Sequence, residues 1–163
     1  MMADPQSTLD TFYQGWHHYQ NLLTTALAPL SSDQLAWRPA PQLRSLGDAV
    51  THMIGARSRW FHGLIGEGDE AFAALGTWDR PGMPARDASE LVAALRLSWR
   101  VIEEAIGRWT PEEWAQSYEN DPGDDPATFT RQWVVWHLIE HDLHHGGEAS
   151  LMLGIQGLAA PDL

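Results

Sequence analysis

The chain has no cysteine, and that absence removes disulfides, thiolate nucleophiles and every cysteine-based zinc site. Any metal it holds must be bound by His, Asp or Glu. Basic residues are scarce as well: 10 Lys and Arg stand against 22 Asp and Glu, a formal net charge of −12. Phosphate backbones are bound mainly by neutralising them with Lys and Arg, and no basic cluster or cation-interleaved aromatic platform compensates locally, so no nucleic-acid partner is expected. No apolar run approaches the roughly 20 residues that span a bilayer. The opening "MMADPQSTLD" lacks the basic region and apolar core of a signal peptide. No membrane association and a cytoplasmic location are therefore expected. Sustained alternation of β-branched and polar residues is missing too, as is any Asn-Gly turn between apolar runs.

What is present points to a packed helical protein. Hydrophobic residues make up 44% of the 163, nine of them tryptophan, far from the composition of a disordered chain. The length suits one domain, residues 1–163. Leu9, Phe12, Trp16, Tyr19, Leu23, Ala26 and Leu30 alternate spacings of three and four, which predicts a first long helix beginning near Ser7. Ser31, Ser32 and Asp33 can cap one short turn before Pro39 and Pro41 forbid a long one. Ser45 then caps a second helix through Leu46, Ala49, Met53, Trp60 and Leu64, ended by "GEGDE". An irregular stretch, residues 66–86, precedes a third helix from about Asp87 or Ser89 to Trp109. "TPEEW" reads as one turn capped by Thr110, with Pro111 at the first helical position. The loop "SYENDPGDDPAT" leads into a last helix, about 129–153. The expectation is an all-α four-helix bundle with short extra helical turns in its connections.

Half of the eight histidines lie in "HLIEHDLHHGGE", residues 137–148. Val134, Leu138, His141, His145, Glu148 and Met152 share a narrow face of the last helix at about 100° per residue. His137 and His144 point roughly 60 to 80° away from it on the same geometry. Two histidines four apart on one face can hold one metal ion if a third ligand arrives from another helix, and His52 is the candidate. Three protein ligands leave coordination positions open for water or substrate. Zn or Ni suits such a site, with Fe or Mn as alternatives. Glu148 and Glu140 are either partners of the ligand imidazoles, candidates to move a proton, or solvated helix residues. His17, His18 and His62 read as ordinary polar residues, and Asp142 as surface. A competing pattern is "HLIEH", residues 137–141, the inverted zinc-peptidase motif H-x-x-E-H, which leaves His145 and His52 unexplained.

The "LSSDQLAWRPAP" loop, the His within "RSLGDAVTHMIGA" and the "HLIEHDLHHGGE" segment together resemble the DinB/YfiT-like superfamily of small bacterial metal-binding four-helix bundles. The resemblance implies a metal triad of His52, His141 and His145. Glycines 146 and 147 and Glu148 stand where Arg-Gly-Gln is frequent in the family, so no role is carried over for that Arg. Gly147 itself marks a place of close backbone packing. Characterised members imply a metal-dependent transferase that uses a low-molecular-weight thiol cosubstrate against a small electrophile. The rival readings are a metal-dependent hydrolase of small esters or amides and a non-catalytic stress-response metal-binding protein. Trp136, Ile139 and Leu143 lie opposite the histidine stripe, and an apolar second face together with the resemblance suggests a homodimer.

Overall fold

Side-chain caps decide where most helices begin. Ser31, Ser45, Asp87 and Thr110 each accept a hydrogen bond from the backbone N–H three residues on, and Gln34, Asp48, Glu90 and Glu113 return the bond to the cap residue. Thr130 caps the last helix by accepting from Trp133 N. The computed structural model describes residues 5–120 and 127–162. Its helices are α1 (Pro5–Leu27), α2 (Ser32–Ala36), α3 (Leu46–Ser58), α4 (Glu70–Ala74), α5 (Ala88–Arg108), α6 (Pro111–Trp114) and α7 (Arg131–Ile155). The long helices α1, α3, α5 and α7 make the all-α bundle; α3 packs on α7 and α5, and α1 on α5.

The described residues depart from the sequence expectation in four places. First, α3 continues as a π-helical turn, Arg59–Leu64, whose wider winding brings Phe61 into the core and leaves Trp60 partly exposed. Second, the stretch expected to be irregular contains α4 and a 3₁₀ turn, Leu75–Thr77, because Asp69 caps Phe72 N and Phe72 fills a fully buried site. Third, Ser117–Asn120 (β1) pairs antiparallel with Ala127–Thr130 (β2), Tyr118 facing Phe129, and both rings pack on the core. The middle of the predicted "SYENDPGDDPAT" loop lies outside the described residues. Fourth, Phe12 stands exposed although it continues the apolar stripe of α1, whereas Trp16, Tyr19, Leu23 and Leu27 are buried.

The core runs along all four long helices, with Leu27, Leu46, Val50, Ile54, Leu91, Leu95, Ile102, Val134, Leu138 and Leu153 buried. Close packing marks Gly146 and not Gly147. A Cβ on Gly146 would come 1.8 Å from Tyr19 Oη and 2.7 Å from its Cζ, while nothing lies within 4 Å of one on Gly147. Tyr19, with Leu23 and Met53, thus wedges α1 against α7 beside His145. Gly146→Ala is expected to destabilise the protein by about 1–3 kcal/mol, the usual range for overpacking, because a rigid ring and not a flexible tip must give way. A thermal melt of Gly146→Ala beside Gly147→Ala checks this: only the former should fall.

Candidate metal centre

His52 sits mid-way along α3, and His141 and His145 sit one turn apart on α7, the helix against which α3 packs. Their ring nitrogens converge. One ligand atom from each lies within 4.8 Å of the others, and His141 Nε2 is 3.3 Å from His52 Nε2. Ring centroids are 5.0 Å apart for His52 and His141, 4.9 Å for His52 and His145, and 4.5 Å for His141 and His145.

Two of the imidazoles are oriented from behind by carboxylates. His52 Nδ1 donates to Asp79 Oδ2 at 2.8 Å, and His145 Nδ1 donates to Glu148 Oε2 at 2.7 Å. A proton held at Nδ1 leaves the Nε2 lone pair of each ring free, that of His52 facing His141, the arrangement found behind metal-bound histidines. Asp79 is held in turn by Arg59, whose Nη1 and Nη2 donate to its two oxygens at 2.7 and 3.0 Å. Gly55 makes room for that pair, since a Cβ there would meet Arg59 Nη1 at 2.8 Å and Asp79 Oδ1 at 2.9 Å.

The donor set fits a divalent ion in its spacing. Metal–nitrogen bonds of 2.0–2.1 Å at a tetrahedral ion place two ligand nitrogens about 3.3 to 3.4 Å apart, which is the His52 to His141 separation found. His141 Nδ1, in contrast, is buried without a hydrogen-bond partner among the described residues.

Burial disfavours the charged forms of His52 and His141. Burial, reinforced by the neighbouring histidines and Arg57, pushes His141 down to about 3. Burial also lowers His52; its bond to Asp79 opposes this, while Arg44 and His145 add to it. Burial alone would raise the Asp79 carboxyl, but hydrogen bonds from Arg59 and His52 outweigh it and hold Asp79 below its ordinary value. Glu148 is likewise held low, its burial outweighed by His145 and then His144. Neutral imidazoles are the form a metal requires at neutral pH.

A pH effect follows for the metal-free protein. His52 and His141 titrate below 6.5 when folded, so between 6.5 and lower pH the unfolded chain binds more protons than the folded one. Stability from these groups is complete above about 6.5 and is lost as pH falls toward 3. Asp79 and Glu148, depressed below 3.8 and 4.5, give way only at lower pH. Chelator-treated protein should therefore melt at a lower temperature at pH 5 than at pH 7.5, and His141→Leu should flatten that dependence. An equal slope in the variant contradicts the assignment.

The other candidates fall elsewhere. His137 stacks on Trp133 at 4.9 Å and 12°, meets Trp60 edge-on at 5.0 Å, and its Nδ1 donates to Glu140 Oε1 at 3.0 Å. "HLIEH" therefore does not gather His137 and His141 around one ion: the groups able to hold a metal among the described residues are the triad and a second set, His144, His145 and Glu148, of which only His144 is exposed. Glu140 is half exposed and lines, with His137, His141 and His144, an open depression of about 360 Å³. His17 pairs with Glu103, His62 Nδ1 donates to the Glu67 carbonyl, and His18 is exposed. Asp142 overturns its surface assignment, being fully buried against Arg57. The sequence reading passed over Asp79, Arg59 and Arg57; an acid 27 residues from its histidine, in a Pro- and Gly-rich stretch, leaves no periodic signal.

Comparison with known proteins agrees with this architecture. A DinB-like protein from Bacillus cereus ATCC 10987 superimposes with a TM-score of 0.71 at 22% identity, over 94% of this chain and 96% of that one. A DinB-like protein from Bacillus subtilis gives 0.64 at 16% identity, over 89% and 91%. At these identities the likeness is one of fold. No curated protein matches the sequence. The model of the DinB family matches residues 2–163, and the chain belongs to that family.

Proposed function

We propose that the protein is a metal-dependent enzyme that joins a low-molecular-weight thiol to a small electrophile at the His52, His141 and His145 site. The observation that supports this most is the convergence of three imidazole nitrogens, two of them backed by carboxylates, beside an open depression. His52, His141 and His145 would hold Zn or Ni, with Fe or Mn as alternatives. When bound, the ion supplies Lewis acidity that makes a thiol proton easier to lose near neutral pH. The sulfur must come from a cosubstrate, because the chain has no cysteine. In the transfer, the thiol proton leaves to a base, sulfur bonds to the electrophilic carbon, and the leaving group departs with its electron pair.

The chain's own residues have separable parts in this. Glu148 is engaged with His145 and orients it. Glu140, which lines the depression and accepts from His137, would accept the thiol proton in this reading. Asp79 fixes the His52 tautomer. Replacement of Asp79 by Asn is expected to weaken metal affinity roughly 10- to 100-fold, the usual effect of losing a ligand's hydrogen-bond partner. Competition with a chromophoric chelator measures it, and unchanged affinity contradicts the role.

The activity test is product formation from a chlorinated aromatic electrophile with and without thiol, in metal-loaded and chelated protein. Turnover that needs both supports the reading. Thiol-independent cleavage of an ester or amide moves it to a hydrolase, and loss of folding on chelation without turnover moves it to a structural metal. Assembly as a homodimer through the exposed Trp136, Leu143 and Leu151 of α7 belongs to the same proposal and is read by sedimentation. Among the described residues no helix is long and apolar enough to cross a membrane.

A further inference from the structure

Beneath the histidines lies a polar hub that the proposed chemistry does not use. Asp142 and Arg57 are both fully buried. Asp142 Oδ2 accepts from Trp16 Nε1 at 2.8 Å, Gln20 Nε2 at 3.1 Å and Arg57 Nη2 at 2.7 Å, and its Oδ1 accepts from Arg57 Nε at 3.2 Å. Arg57 Nη1 donates to Ser98 Oγ at 3.0 Å and to the Leu95 carbonyl at 3.5 Å, and Nη2 also donates to Gln20 Oε1. One guanidinium and one carboxylate thereby join α1 (Trp16, Gln20), α3 (Arg57), α5 (Leu95, Ser98) and α7 (Asp142).

Stability alone does not explain such a group. Buried ion pairs replaced by apolar residues of similar volume are often neutral or even stabilising, because desolvation offsets the attraction. What a hydrogen-bonded pair adds is direction. The surrounding contacts among Leu, Ile, Val and Met are non-directional and distinguish neighbouring registers only through shape. Asp142 follows His141 directly and precedes His145 by three residues, and Arg57 lies five residues after His52, about 7.5 Å along the helix. A slip of one residue, about 1.5 Å and 100°, would carry His52 out of reach of the other two.

We propose that the Arg57–Asp142 pair is a positioning device that fixes the register of α3 against α7 and so sets the separation of His52 from His141 and His145. The pair touches no ligand atom; it acts through the helices that bear the ligands. The inference rests on the metal reading of the triad.

The test compares three variants with the full-length wild type: Arg57→Lys, which keeps the charge but loses the fork; Arg57→Met with Asp142→Leu, which makes the site apolar; and Ser98→Ala, which removes one hydrogen bond to Arg57 from a helix carrying none of the three histidines. Helical circular dichroism and thermal melting report folding. Co²⁺ titration reports affinity, and its visible bands report coordination geometry. Folded Arg57→Lys and the double variant should bind Co²⁺ at least about 10-fold more weakly with shifted, weaker bands, a change of the size seen when support behind ligands is lost. Ser98→Ala, mild enough to fold, should lose a few-fold in affinity. Folded variants with wild-type affinity and spectrum overturn the inference while leaving the metal site standing. A wild type that binds no Co²⁺ overturns the metal reading itself, so the two failures are distinguishable.

Discussion

Asp142→Ala should lower stability by about 3–5 kcal/mol, the range for removing one partner of a buried ion pair. The loss comes from what remains. Arg57, with no exposed surface, keeps its charge, loses the acceptor for Nε and loses one of the two acceptors of Nη2, with Gln20 Oε1 remaining. Trp16 Nε1–H and Gln20 Nε2 lose the same acceptor, each left without the bond that offsets its burial. Whole proteins are stable by only about 5–15 kcal/mol, so the variant approaches the threshold of folding. A chain of this size shifts its melting temperature by about 2–4 °C per kcal/mol, which makes the expected drop roughly 6–20 °C. A urea titration monitored by tryptophan fluorescence measures the same quantity. A variant within about 1 kcal/mol of wild type would mean that water or another group reaches Arg57, and that the carboxylate is not its sole counterion.

The largest functional effect is expected from His52→Ala. It removes the one histidine that α3 contributes to the triad and leaves two on α7. Two imidazoles on a single helix do not enclose an ion, so affinity should fall by more than the roughly 10- to 100-fold expected when only a partner behind a ligand is lost. His144→Ala is the control. That side chain is largely exposed and 3.5 Å from Glu148, and its loss should leave affinity near wild type. A loss confined to His144→Ala, with His52→Ala near wild type, would move the ion to the second group, His144, His145 and Glu148. Folding of His52→Ala is not at issue, because His52 lies partly open at the rim and the core of α3 is made by Leu46, Val50, Met53 and Ile54.

Much of this was legible in the sequence, for identifiable reasons. Helix starts were visible because Ser45, Asp87 and Thr110 cap by short-range side-chain bonds that a local reading can find. The face shared by His141 and His145 followed from helical periodicity, and His52 from being the histidine inside the second helix. The misses share one cause, namely contacts between residues far apart in the chain. Asp142 sits in the same polar run as its exposed neighbours, and its burial depends on Arg57, 85 residues earlier, and Trp16, 126 residues earlier. Asp79 is placed behind His52 by α4, the 3₁₀ turn and Arg59, none of which its own surroundings announce. The β1–β2 pair was missed because four-residue strands with one apolar ring each, Tyr118 and Phe129, carry too little alternation to read. Gly146 was passed over in favour of Gly147 because only the position of Tyr19 distinguishes two adjacent glycines on one helix.

The most direct measurement is elemental analysis of the protein prepared without chelator or affinity tag, beside His145→Ala. About one equivalent of Zn, Ni, Fe or Mn in the wild type, lost in the variant, is the expected result, since His145 is the most deeply buried of the three imidazoles and is held by Glu148 at 2.7 Å. No metal in either protein, even after reconstitution with each ion in turn, would contradict the account and leave "HLIEHDLHHGGE" as a polar segment of α7.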